Sequence, residues 1–274
     1  MSNVIAIVNQ KGGVGKTTSV YNIGYSLALM DKKVLMIDFD SQASLTVAVG
    51  LELEDTATIN IGQVIIGKQT LEQVAMSLSS ESNIVIDIVP SHNTIAEIVY
   101  TLNVNELIDG LQRIITKARD LYDYILIDCP PTVADMFIAA LVVCDYIVAP
   151  VTSGDYLSYV SLQNTLQDLK DIQTDRGAEK PAFLGVILTR YKKQLANHKE
   201  LYKVISADYR ILGAVSDTDA FNSAIGLGVP VKAMRPATKQ SRAAALEYQK
   251  IAEFIIQYTE YNNNDGKRKK QKIK

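Results

Sequence analysis

The 274-residue sequence predicts an α/β three-layer sandwich, with a mainly parallel central sheet flanked by helices. Three observations predict it. Short, β-branched apolar runs alternate with segments whose apolar residues recur at helical spacing. A glycine-rich loop stands between the first such run and the first helical pattern. Two of the apolar runs end in aspartates, at the strand ends where open α/β sheets gather their chemistry.

Val4–Val8 is the first buried strand, ending where Asn9 and the glycines take over. From Thr17 to Met30 the apolar positions Val20, Ile23, Leu27 and Met30 fall on one helical face. Val34–Ile37 is the second strand and stops at Asp38. Further strands are expected at Ile84–Val89, Tyr124–Ile127, Tyr146–Val148, Phe183–Leu188 and Ile211–Val215. Helical patterns cover 94–119, broken near Asn103–Asn105, and then 133–143, 156–173, 195–207 and 239–260. Residues 51–83 carry no readable period and are expected to form a surface excursion. No repeat and no Pro/Gly/Ser-rich linker divides the chain, so one domain is expected over 1–261. Order should fail at Asn262–Gly266, leaving 262–274 as a flexible basic tail.

Composition narrows the function classes. At 47% hydrophobic and 21% charged residues the chain can build a sizeable core. No run of about 18 apolar residues or basic-then-apolar leader occurs, so neither a membrane span nor a secretory signal is expected. Cys129 and Cys144 lack CxxC spacing and read as reduced core thiols of a cytoplasmic protein. His92 and His198 have no partner at ligand spacing, which argues against a transition-metal site. Six of the 28 basic groups lie in residues 267–274, leaving 22 against 30 acidic residues in the rest. The body as a whole therefore repels phosphate, and any nucleic-acid affinity must come from the tail or from local patches.

The loop at 11–18 carries the strongest chemistry. Gly12, Gly13, Val14 and Gly15 let backbone N–H groups converge on phosphate oxygens, and the following helix adds its positive end. Lys16 can reach the terminal phosphates, the Thr17 hydroxyl can ligate Mg²⁺, and Thr18 continues the cradle. The older spacing wants a glycine where Gln10 stands, with Lys11 after it, so this loop is a variant.

Asn9-Gln10-Lys11-Gly12-Gly13-Val14-Gly15-Lys16-Thr17-Thr18 resembles the deviant Walker A motif of the ParA/MinD family of P-loop ATPases. The resemblance implies ATP and Mg²⁺ as cofactors and a homodimer when ATP is bound. It also implies that Lys11 reaches across the dimer to the partner's phosphates, the role of an arginine finger. Asp38-Phe39-Asp40-Ser41-Gln42 is similar to the family's D-x-D-P-Q segment, with Ser41 replacing the usual proline. By that match Asp38 lies near Mg²⁺, and Asp40 orients the attacking water. Tyr124–Pro131 resembles the family's Walker B strand, which gives Asp128 the metal's hydration shell and lets Pro130-Pro131 stiffen the next turn. Thr189, Arg190 and Pro230 fall where family members contact adenine, and Asp155-Tyr156 falls where many relatives carry Glu-Tyr.

Within the family, Asn9-Gln10 and the D-x-D-x-Q segment favour the branch that segregates DNA. That branch implies non-specific DNA binding by the ATP dimer, a ParB-like centromere-binding partner that stimulates hydrolysis, and a nucleoid-associated location. Candidate DNA contacts are Lys192, Lys193, Lys199, Lys203, Lys239, Arg242, Lys267, Arg268, Lys269 and Lys270. Ala220 occupies one place where relatives carry a DNA-contacting arginine. Two alternatives stand beside this reading: a MinD-like, membrane-associated division-site regulator, and a nucleotide-gated adaptor with little hydrolysis. Leu188-Thr189-Arg190-Tyr191 fits the MinD-like branch as well. However, Ile251–Ile256 is expected to pack into the core rather than insert into lipid, and no stable membrane association is expected. An iron–sulfur carrier would need a cysteine pair that the chain lacks.

Overall fold

In the computed structural model, residues 2–78, 84–131, 135–177 and 179–271 are described, with side chains through residue 262. The chain order is β1 (Asn3–Ile7), α1 (Lys16–Ala28), β2 (Val34–Asp38), α2 (Ser44–Ala48), α3 (Leu53–Thr56), α4 (Ile61–Ile65), α5 (Leu71–Val74), β3 (Met76–Ser77) and β4 (Ile86–Val89). It continues with α6 (Ile95–Thr101), α7 (Val104–Ala118), β5 (Tyr124–Asp128), α8 (Asp135–Val143), β6 (Tyr146–Thr152), α9 (Tyr156–Arg176) and β7 (Ala182–Tyr191). The last elements are α10 (Ala196–Asp208), β8 (Ile211–Ser216), α11 (Ala220–Gly226) and α12 (Lys239–Gln271).

Eight strands form one sheet in the order β3-β4-β2-β5-β1-β6-β7-β8. Every pairing is parallel except the short β3 against β4. Because strand residues alternate between faces, Val4, Ala6 and Val8 point into one apolar layer and Ile5 and Ile7 into the other. The first layer is completed by Leu107, Leu111 and Ile114 of α7, Phe137 of α8, Leu162 of α9 and Ile205 of α10. The second is closed by Val20, Ile23 and Leu27 of α1 and by Tyr248, Ile251 and Ile255 of α12. Each such buried side chain contributes about 1.5–3 kcal/mol relative to exposure, so both faces are held independently of the loops.

From β1 the chain builds one half of the sheet through β2, β4 and β5, then crosses to β6, β7 and β8. The direction reverses at β1, which makes its carboxyl end the topological switch point and opens a crevice there. The expected break in the 94–119 helix falls at Asn103. Its side chain accepts hydrogen bonds from the N–H groups of Asn105 and Glu106 (3.0 and 3.1 Å), while Glu106 accepts the Asn103 N–H at 2.9 Å.

The excursion at 51–83 contains α3, α4, α5 and β3, with 79–83 outside the described residues. At the other end α12 runs on to Gln271, past Asn262, where the sequence suggested that order ends. The side chains of Lys267, Arg268, Lys269 and Lys270 lie outside the described ones. Residues 132–134, at the expected start of the 133–143 helix, are likewise not described. Ile251 and Ile255 are fully buried, so this stretch packs against the sheet as its composition suggested.

Candidate nucleotide-binding site

Register brings the site together. Ile7 pairs with Asp128 across β1 and β5, and Asp38 pairs with Asp128 across β2 and β5. The glycine loop and both strand-end acids therefore stand at one height on the sheet. Gly15 is the N-cap of α1, with φ 92° and no side-chain cap, so the first N–H groups of the helix face the crevice. A side chain here would be strained by the left-handed backbone and crowded by Thr189, whose Cγ2 would lie 3.3 Å from an added Cβ. The Thr189 hydroxyl donates to the Val14 carbonyl at 2.9 Å and pins the loop to the end of β7.

Asn9 is the hub of the loop. It is fully buried, accepts the Lys11 N–H at 2.9 Å, and donates to the carbonyls of Pro150 (2.8 Å) and Ser158 (3.3 Å). Sequence reasoning gave Asn9 no role of its own, because its partners lie on β6 and α9, more than 140 residues away. Lys16 is 8% exposed, and its ammonium donates to the carbonyls of Asn9 and Lys11, both at 3.1 Å. Burial pulls its pKa below the ordinary lysine value, opposed chiefly by the Asp128 carboxylate.

The acids are strained electrostatically. Asp38 is buried and accepts the Thr46 N–H (2.8 Å) and hydroxyl (2.7 Å), with the Asp40 N–H at 3.3 Å. Burial nevertheless pushes its pKa up to about 7, with the Thr46 bonds working against the rise. Asp128 is raised well above the carboxylate range, by burial first and then by the neighbouring Asp38. The Thr17 hydroxyl donates to Asp128 Oδ2 at 2.7 Å, while Asp128 Oδ1 is buried with no hydrogen-bond partner. An orphaned carboxylate oxygen beside a second buried acid is an arrangement that a divalent cation relieves. Among the described residues no three Cys, His, Asp or Glu side chains converge to enclose a metal. That fits Mg²⁺, which takes one or two carboxylates and fills its remaining positions with water and phosphate.

Asp40 is half-buried just beyond β2, and its Oδ1 accepts the Gln42 N–H at 3.0 Å. Lys11 lies across the loop mouth, its ammonium paired with Asp155 at the N-cap of α9. Burial opposes ionisation of Asp155, but Lys11 and the N–H groups of Ser158 and Leu157 hold its carboxyl below the usual carboxylate range.

Beside the loop, a cavity of about 280 Å³ is lined by Val14, Gly15, Thr18, Thr189 and Arg190, all of them candidate nucleotide contacts. Its far wall, Val215–Asp219 with Phe221 and Asn222, was missed, although the end of β8 was itself a strand-end signal. Pro230 does not line this cavity. It is buried in a segment turned toward α1, where the Val231 N–H donates to Asn22 (3.0 Å) and the Tyr21 hydroxyl donates to the Gly228 carbonyl (3.0 Å).

The proposed DNA contacts are dispersed. Lys192 pairs with Asp217 at 2.9 Å, whereas Lys193, Lys199, Lys203, Lys239 and Arg242 are exposed. Arg242 donates to the Ala237 carbonyl at 2.9 Å, and Ala220 is buried.

Comparison with known proteins agrees with this geometry. The family described as AAA domain matches residues 2–180. The chain is 27% identical over 269 residues to the chromosome-partitioning ATPase Soj of Treponema pallidum, covering 93% of this chain and 98% of that one. It is 33% identical over 197 residues to the sporulation initiation inhibitor protein Soj of Bacillus subtilis, covering 69% and 73%. The septum site-determining protein MinD of Pyrococcus horikoshii, solved with Mg-ADP, superposes with a TM-score of 0.69 at 25% identity, covering 93% and 96%. With its loop, strand-end acids and sheet order in place, the chain belongs to the AAA domain family, as a P-loop ATPase of the ParA/MinD type.

Proposed function

We propose that this chain is an ATP-dependent DNA-partition ATPase that works as an ATP-bound sandwich dimer. The observation that carries the reading is Lys11, a second lysine on the loop that already holds Lys16, with Asp38 and Asp128 paired on adjacent strands and Asp40 just beyond β2. The N–H groups of residues 12–17 cradle the phosphates of ATP, and Lys16 neutralises the terminal ones. Thr189 and Arg190 border the base. Thr17, Asp128 and Asp38 hold Mg²⁺, which when bound offsets the negative charge of the phosphates. Asp40 accepts a hydrogen bond from the attacking water and orients it. Lys11 of one subunit completes the site of the other by placing a cation where charge develops.

In this reading the ATP dimer binds DNA without sequence preference, and a ParB-like centromere-binding protein stimulates hydrolysis and release. Curated relatives named for chromosome partitioning support it, as do the exposed Lys193, Lys239 and Arg242. A retention assay with random DNA and with anionic liposomes, each with ATP or ADP, tests it. Retention on DNA with ATP alone is expected. Retention on liposomes alone would favour the MinD-like reading, and no ATP-dependent retention would favour an adaptor. Deleting 267–274 should weaken DNA binding and flatten its salt dependence, since each phosphate neutralised contributes about −0.9 to the slope. An unchanged slope would assign the tail to solubility.

A further inference from the structure

Lys11 is engaged within its own subunit. Its ammonium meets the Asp155 carboxylate, and both side chains are about one-third exposed (33% and 30%). The two ends of this pair are anchored to each other through the backbone. The Lys11 N–H is held by Asn9, which also grips the carbonyls of Pro150 and Ser158 on either side of Asp155. Gly154, directly before Asp155, has φ +76° and packs so closely on His198 that an added Cβ would lie 2.7 Å from its ring. Asp155 itself caps α9 by accepting the Leu157 N–H at 3.1 Å. The backbones that carry the two side chains are thus held side by side, so the pair forms within the single subunit.

Resting on the trans role of Lys11 proposed above, we infer that Asp155 is a positioning residue that latches Lys11 in cis. The latch sets the threshold at which two subunits pair. A lysine bound to its own carboxylate cannot deliver its charge to a partner's phosphates until that ion pair opens. The pair is about one-third exposed, so the barrier is modest and is overcome by the stronger attraction of a nucleoside triphosphate. A symmetric dimer must open two latches, however, so the two costs add and their factors in the equilibrium multiply.

Asp155→Asn isolates the charge. Asparagine is an equally good N-cap, so α9 keeps its Leu157 bond while Lys11 is released. With ATP, the variant should dimerise about 2- to 30-fold more tightly than wild type, the square of the range for one partly exposed ion pair, and this gain should shrink as salt is raised. In the nucleotide-free chain, Lys11 should be acylated faster by an amine-reactive reagent, as read by peptide mass. Dimerisation that is unchanged or weaker, or a Lys11 labelling rate equal to wild type, would overturn the latch. Failure of the underlying reading looks different, because Lys11→Ala would then leave ATP hydrolysis unimpaired whatever Asp155→Asn does.

Discussion

Lys11→Ala is expected to bind ATP nearly as well as wild type in the single subunit, yet to lose dimer-dependent hydrolysis by about 10³-fold or more, the scale of an arginine finger. The separation follows from which atoms of Lys11 are used where. Its backbone N–H bonds Asn9 and its carbonyl accepts from Lys16, and both survive the substitution. Only the ammonium is lost, and within the subunit it meets Asp155 rather than the groups of the phosphate loop. Equilibrium binding of a fluorescent ATP analogue, together with turnover measured across a range of protein concentrations, checks both halves. Equal loss of binding and turnover would make Lys11 a cis ligand instead.

Lys16→Ala should act at the earlier step. Lys16 is buried at the loop, and its ammonium donates to the carbonyls of Asn9 and Lys11. It is also the cation nearest the raised carboxyl of Asp128. Removing it forfeits charge-assisted bonds worth about 2–4 kcal/mol to the phosphates, or about 30- to 1000-fold in affinity. Calorimetric titration with ATP and Mg²⁺ should show this loss, whereas Lys11→Ala should not. An unchanged affinity for Lys16→Ala would mean that the N–H cradle alone holds the nucleotide.

Much of this site was legible because its signals are local. Gly12–Thr18 and the acids at 38, 40 and 128 are each read within a few residues of a buried strand, and parallel register then lines them up. What was not legible depends on contacts made by folding. Thr46 serves Asp38 only because α2 doubles back over the end of β2, and Asn9 serves Pro150 and Ser158 only because β6 lies beside β1. The helices α3, α4 and α5, in the stretch at 51–83, have four or five residues each, too few for a helical period to show. Pro230, too, lies away from the cavity beside the loop because of contacts made by folding. Asn22 and Tyr21 draw that segment onto α1, and the cavity is closed instead by the loop after β8.

The central claim is that each ATP is hydrolysed by residues from two chains, Asp40 in cis and Lys11 in trans. Mixing Lys11→Ala with Asp40→Ala tests it most directly. The two variants are combined without nucleotide and then given ATP and Mg²⁺. Each homodimer lacks one required group at both sites and should be inactive. A mixed dimer has one site with its own Asp40 and with Lys11 from the Asp40→Ala partner. Random pairing should therefore restore about a quarter of wild-type turnover. A mixture as inactive as either parent would contradict the shared site.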